Sequence, residues 1–167
     1  MSALAAWNQL PEADAFTPIL ACCGSHAFAS GVARNRPYSN LDSLLIEADT
    51  VWWGLKKNDW LESFACHPRI GESAATTSHQ FSAWSTEEQS RARTAAESIL
   101  DSIARKNREY EARHGFIYIV CANGRSAEEL LAILDHRLHN TTEVELREAA
   151  EQQRQITHLR IRKWLAQ

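Results

Sequence analysis

The strongest constraint on this chain lies between Ser85 and Arg113, a stretch without glycine or proline that opens on Ser85-Thr86-Glu87-Glu88. A serine followed three residues later by glutamate is a capping box, in which the hydroxyl takes the N3 amide and the carboxylate reaches back. Behind it, Ala92, Ala95, Ala96, Ile99, Ile103 and Tyr110 keep one face apolar. That spacing predicts a long amphipathic helix, which must bury its stripe against other elements. His114-Gly115 predicts its end, since glycine readily takes the left-handed conformation that closes helices.

Other segments repeat the pattern. Ser39-Asn40 precedes a stripe at Leu41, Leu44, Leu45, Ala48 and Trp52, and Asn58-Asp59 offers a cap for a short helix with Trp60, Leu61 and Phe64 inward. Ser126 with Glu129 opens a helix bearing Leu130, Leu131, Leu134 and Leu138, and Thr142 with Glu145 opens the last one, toward Trp164. The run from Phe116 to Ala122, FIYIVCA, is short, continuous and apolar, and we read it as extended and buried. No repeat, low-complexity tract or linker interrupts the 167 residues, a length that one core can serve. The expected architecture is all-α: a single-domain helical bundle over 1–167, with about seven or eight helices and one short buried extended segment.

Composition removes several function classes. A formal charge of −3 argues against a nucleic-acid partner, which calls for a basic face. No apolar run reaches the roughly 20 residues that cross a bilayer, so no membrane span is expected. The opening MSALAAWNQLPEADAF lacks the basic residues of a secretory signal, and the closing Lys163-Trp164-Leu165-Ala166-Gln167 is not a peroxisomal Ser-Lys-Leu. Cys22, Cys23, Cys66 and Cys121 form no Cys-x-x-Cys pair and read as reduced thiols, so a cytoplasmic location is expected.

From Cys66 to Trp84 the helical period lapses into a loop rich in Ser, Thr and Ala, long enough to suggest function. At its mouth stands His67-Pro68-Arg69-Ile70-Gly71. Proline keeps the preceding residue out of helical geometry, so His67 is held at a stiff helix exit. An imidazole titrating near neutrality in such a place suits general acid or base work, while a plain turn explains the same residues. Glu88 likewise has two readings, a capping carboxylate or part of a helix start that grips a polar ligand. Arg160 falls between Ile156 and Trp164 on an otherwise inward stripe, where a guanidinium either snorkels to water or faces an anion. The other histidines are scattered; His136 and His139 share a helix face but lack nearby Cys or carboxylate ligands, and no metal site is expected.

Taken together, these residues resemble the 2-oxo-4-hydroxy-4-carboxy-5-ureidoimidazoline (OHCU) decarboxylase family. The likeness runs through Arg36-Pro37-Tyr38, Cys66 with HPRIGE at 67–72, Ser85-x-x-Glu88-Gln89, and Asn107-x-x-Tyr110-x-x-x-x-Gly115-Phe116. It continues through IVCANGRS at 119–126, Arg137-Leu138-x-Asn140 and Ile156-x-x-Leu159-Arg160. Each motif is weak, and their order and spacing together are specific. The resemblance implies an all-α homodimer and a cofactor-free carboxy-lyase of purine catabolism that forms (S)-allantoin. By resemblance the catalytic residues are His67, Glu88 and Arg160. Substrate contacts fall on Pro68, on the helix start Ser85, Thr86, Glu87, Glu88 and Gln89, and on backbone at Ile119, Val120, Cys121, Ala122 and Asn123. The loop between Gly71 and Ser85 departs from the family in length and composition. Two other classes fit the bare residues: a metal-dependent hydrolase of a ureido or amide compound, and a non-catalytic helical interaction protein.

Overall fold

The structure, a computed structural model, describes residues 1–70 and 86–167, and side chains outside 86–93. Among the described residues there are eight helices and no strand: α1 (Ala3–Asn8), α2 (Glu12–Cys23), α3 (His26–Arg34), α4 (Leu41–Gly54), α5 (Lys57–Ala65), α6 (Thr86–His114), α7 (Ala127–Arg137) and α8 (Thr142–Leu165). They divide into two compact units, one of residues 1–66 with 148–167 and one of residues 67–147. Among the described residues no helix is long and apolar enough to cross a membrane.

In the first unit, α4 starts where the sequence predicts. Asn40 caps it by accepting from the Ser43 amide at 2.8 Å, while the Ser43 hydroxyl receives the Asn40 amide at 3.2 Å. Leu44, Leu45, Ala48 and Trp52 are buried along the expected stripe. The Trp52 indole donates to the Ala150 carbonyl at 3.0 Å and the Trp60 indole to the Trp52 carbonyl at 3.0 Å, so these rings bury bulk without orphaning their N–H groups. The Arg36-Pro37-Tyr38 motif is structural here. Arg36 donates to the carbonyls of Trp7, Leu10 and Ala33 at 2.6–2.8 Å, closing helix ends, and the Tyr38 ring stacks on Trp7. None of the four cysteines is in a disulfide; Cys22, Cys23 and Cys121 are buried and Cys66 is exposed.

Gly31 on α3 lies against Val51 on α4. A Cβ at Gly31 would stand 2.7 Å from Val51 Cγ1, closer than real side chains approach, and a tight 3.3 Å from Cγ2. Gly31→Ala is therefore expected to destabilise the chain by about 1 kcal/mol, overpacking outweighing the gain in helix propensity. Adding Val51→Ala opens the space, so the double variant should have a higher urea midpoint than Gly31→Ala alone.

In the second unit, α6 ends at His114, followed by Gly115 at φ +80°, as the sequence predicts. The Ser126–Glu129 capping box of α7 forms, with bonds of 3.2 and 2.7 Å. The residues from 116 to 121 are non-helical, and Phe116, Tyr118, Ile119, Val120 and Cys121 are buried.

Two expected caps move. α5 begins at Lys57, one residue before the expected Asn58-Asp59 cap, and Asp59 instead reaches back to the Lys56 amide at 3.0 Å. Thr142 is the first residue of α8 rather than its cap; the Thr141 hydroxyl accepts from the Val144 amide at 3.4 Å. The Thr142 hydroxyl pairs with His114 Nδ1 at 3.0 Å, and Glu145 is turned wholly inward, 0% exposed. A charged partner within the unit outweighs the capping bond that the spacing suggests.

Candidate active site

α5 ends at Ala65; the amide of the capping residue Cys66 donates to the Ser63 carbonyl at 3.2 Å, and Pro68 then blocks any further helical turn. Cys66 packs where only glycine fits opposite: Gly24 has φ +84°, and a Cβ there would meet Cys66 Sγ at 2.8 Å. His67 follows, half-buried, with Pro68 exposed. The next two residues are fastened to α6. Arg69 makes a fork to Glu111, Nε to Oε2 at 2.9 Å and Nη2 to Oε1 at 2.8 Å. The Asn107 side-chain amide donates to the Ile70 carbonyl at 2.7 Å. Asn107 is buried, and its Oδ1 accepts from nothing among the described residues, so its place in the fold rests on the donor bond. The Arg69 fork holds the Glu111 carboxyl below its usual value, which keeps the pair charged through the neutral range.

The segment around Ile119 is fixed by a different device. With no strand among the described residues to pair with, the carbonyls of a buried non-helical run need other donors. Arg137 supplies one, Nη1 donating to the Ile119 carbonyl at 2.7 Å. Its Nε donates to Glu145 Oε2 at 2.9 Å, and Tyr110 donates to the same oxygen at 2.5 Å. Asn140 donates to Glu145 Oε1 at 2.7 Å, and the guanidinium lies 4.9 Å from the centre of the Tyr118 ring. Burial works against the charge on Arg137, but Glu145 outweighs it and raises the guanidinium above its ordinary value. Burial also pushes the Tyr110 phenol well up, so it stays a donor to the carboxylate. Ile119, Val120 and Cys121 are buried, while Ala122 and Asn123 are exposed just before the turn at Gly124, φ +74°.

The remaining candidates are spread more widely. Thr86, Glu87, Glu88 and Gln89 form the first turn of α6; Ser85, and with it the expected cap, lies outside the described residues, as does the loop from Gly71. Arg160 belongs to the first unit, on α8. It is exposed rather than inward, flanked by half-buried Ile156 and Trp164, and its Nη1 donates to the Cys22 carbonyl in the last turn of α2 at 3.2 Å. Burial raises the Cys22 thiol to about 11, against the opposing charge of Arg160. Of the polar residues that hold these two segments, Arg69, Asn107, Glu111 and Arg137 are given no role by the sequence alone, and Glu145 only that of a cap. One signal was present: Asn107, Glu111 and His114 recur at helical spacing on a single face.

The OHCU decarboxylase family pattern matches residues 8–162. A crystal structure of OHCU decarboxylase in the presence of (S)-allantoin superposes with a TM-score of 0.73 at 34% identity, covering 89% of this chain and 96% of that one. This chain belongs to the OHCU decarboxylase family. Beside that family fold, a crystal structure of (S)-allantoin synthase shares the architecture at 18% identity and a TM-score of 0.69, covering 96% of this chain and 53% of that one. The uric acid degradation bifunctional protein TTL of Arabidopsis thaliana is 37% identical over 145 residues, 85% of this chain and 44% of its own length. The uric acid degradation bifunctional protein of Bacillus sp. (strain TB-90) is 25% identical over 129 residues, 76% of this chain and 25% of its own. The chain thus spans less than half the length of these two curated relatives.

Proposed function

We propose that this protein decarboxylates OHCU to (S)-allantoin, the last step from urate to allantoin. The observation that carries the reading is the 34% identity to an OHCU decarboxylase crystal structure, which this chain matches over nearly its whole length. The chemistry agrees with the residues at hand. The departing carboxylate sits on a carbon next to the ring C=N, so the electron pair of the broken C–C bond flows into that imine. The substrate is its own electron sink, and the reaction needs no pyridoxal, thiamine or metal.

In this reading the protein binds the carboxylate out of the ring plane and delivers one proton to one face. His67 contacts the leaving carboxylate and adjacent hydroxyl and acts in proton transfer. Arg160 and the backbone from Ile119 to Asn123 bind anionic or carbonyl oxygens, with Pro68 against the ring. Glu88 accepts from ureido N–H groups, within a helix start running from Ser85 through Thr86 and Glu87 to Gln89. Glu88 lies nineteen residues N-terminal to Asn107 on α6, roughly 28 Å of helix, and the ties of Arg69 to Glu111 and of Ile70 to Asn107 run the chain after His67 toward that end of α6. A Glu88→Gln chain with unchanged KM would remove Glu88 from the site without touching His67.

The family resemblance also carries a homodimer, which light scattering on the purified chain tests. Four cysteines outside any disulfide accord with a cytoplasmic location. The central experiment generates the short-lived substrate in place from urate with the two preceding enzymes and follows optical activity by circular dichroism. Rapid growth of the (S)-allantoin signal on adding this protein, undiminished by chelator, is the expected result. Formation of only racemic allantoin at the uncatalysed rate would reject the reading.

A further inference from the structure

The turn that carries His67 is tied down at two points immediately after it, and both ties end on one face of α6. Asn107 and Glu111 are four residues apart, so their side chains lie one above the other. The first holds the Ile70 carbonyl and the second holds the Arg69 guanidinium through two nearly parallel bonds. A bidentate fork fixes orientation as well as distance. Between these ties and the imidazole stands only Pro68, whose ring locks its own φ. The backbone of His67 is therefore joined to α6 by a short, stiff connection.

The Arg69–Glu111 pair is an odd choice if stability is its purpose. Its side chains are 42% and 34% exposed, and ion pairs so open to water contribute little to folding. What such a pair does well is select one geometry among several. We propose that Arg69, Asn107 and Glu111 form a clamp that orients the His67 imidazole for proton transfer, as positioning residues that do not touch substrate. The proposal rests on the decarboxylase reading and deepens it.

Glu111→Gln keeps the size of the side chain and removes the charge. The expected result is a kcat about tenfold or more below the parent, with KM within about twofold, since misplacing a reacting group by an ångström costs rate rather than binding. The exchange Arg69→Glu/Glu111→Arg should recover most of the loss, and thermal midpoints should hardly move. Independently of activity, the imidazole proton signal of His67, identified by its absence from His67→Asn, should be sharp in the parent and broadened or doubled in Glu111→Gln. An unchanged kcat with a sharp signal overturns the clamp and leaves the decarboxylase reading standing. A parent without decarboxylase activity, but with the signal altered in Glu111→Gln, keeps the clamp and rejects that reading. A fall in kcat matched by a lost thermal transition, and not recovered by the exchange, makes the pair structural and also overturns the clamp.

Discussion

A His67→Asn chain should fold as the parent does and form (S)-allantoin some 10²–10⁴-fold more slowly, the range that a single acid–base group supplies. Asparagine preserves a polar side chain of similar reach but cannot titrate near neutrality. The substitution falls in a half-buried turn between α5 and the first tie to α6, outside the packed cores of both units. Its effect on stability is therefore expected to stay within about 1 kcal/mol. Circular dichroism in the far ultraviolet separates the two readouts, since helix content reports folding and the allantoin band reports turnover. A folded His67→Asn protein with full rate would remove the proposed proton-transfer step.

Arg137→Met should be the most damaging single change to the fold. Methionine fills similar volume but leaves Glu145, 0% exposed, without its cation and the Ile119 carbonyl without its donor. Breaking a buried ion pair by removing one partner typically costs about 3–5 kcal/mol, a large part of a typical domain's total stability. Removing both charges together is milder, so Arg137→Met/Glu145→Leu should unfold at a higher urea concentration than Arg137→Met. Equal midpoints for the single variant and the parent would show that the network contributes nothing to folding.

The sequence displays its helices where the deciding interaction is local. Asn40 with Ser43, Ser126 with Glu129 and the glycine at 115 act within four residues, and each boundary falls where the pattern puts it. Glu145 shows how the same reasoning fails. Three residues after Thr142 it has the spacing of a capping box, yet it faces Arg137, Tyr110 and Asn140. Arg137 and Tyr110 lie eight and thirty-five positions away, and no local pattern registers them. The same holds for the ties behind His67, where thirty-seven residues separate Ile70 from Asn107. The turn at His67 was legible because proline marks it. For Arg160 the apolar neighbours at i−4 and i+4 leave two outcomes open, and the exposed side chain is the snorkelling one, since a long stem lets the charged head reach water from such a stripe.

The uneven exposure of the four sulfurs has a practical consequence. Three are shut inside the fold, while the fourth opens to solvent one residue before the imidazole. A maleimide dye added to the native protein should therefore attach at a single place, Cys66. An environment-sensitive fluorophore there would sit beside the proposed proton-transfer group and, on that proposal, report ligand arrival without any engineered handle.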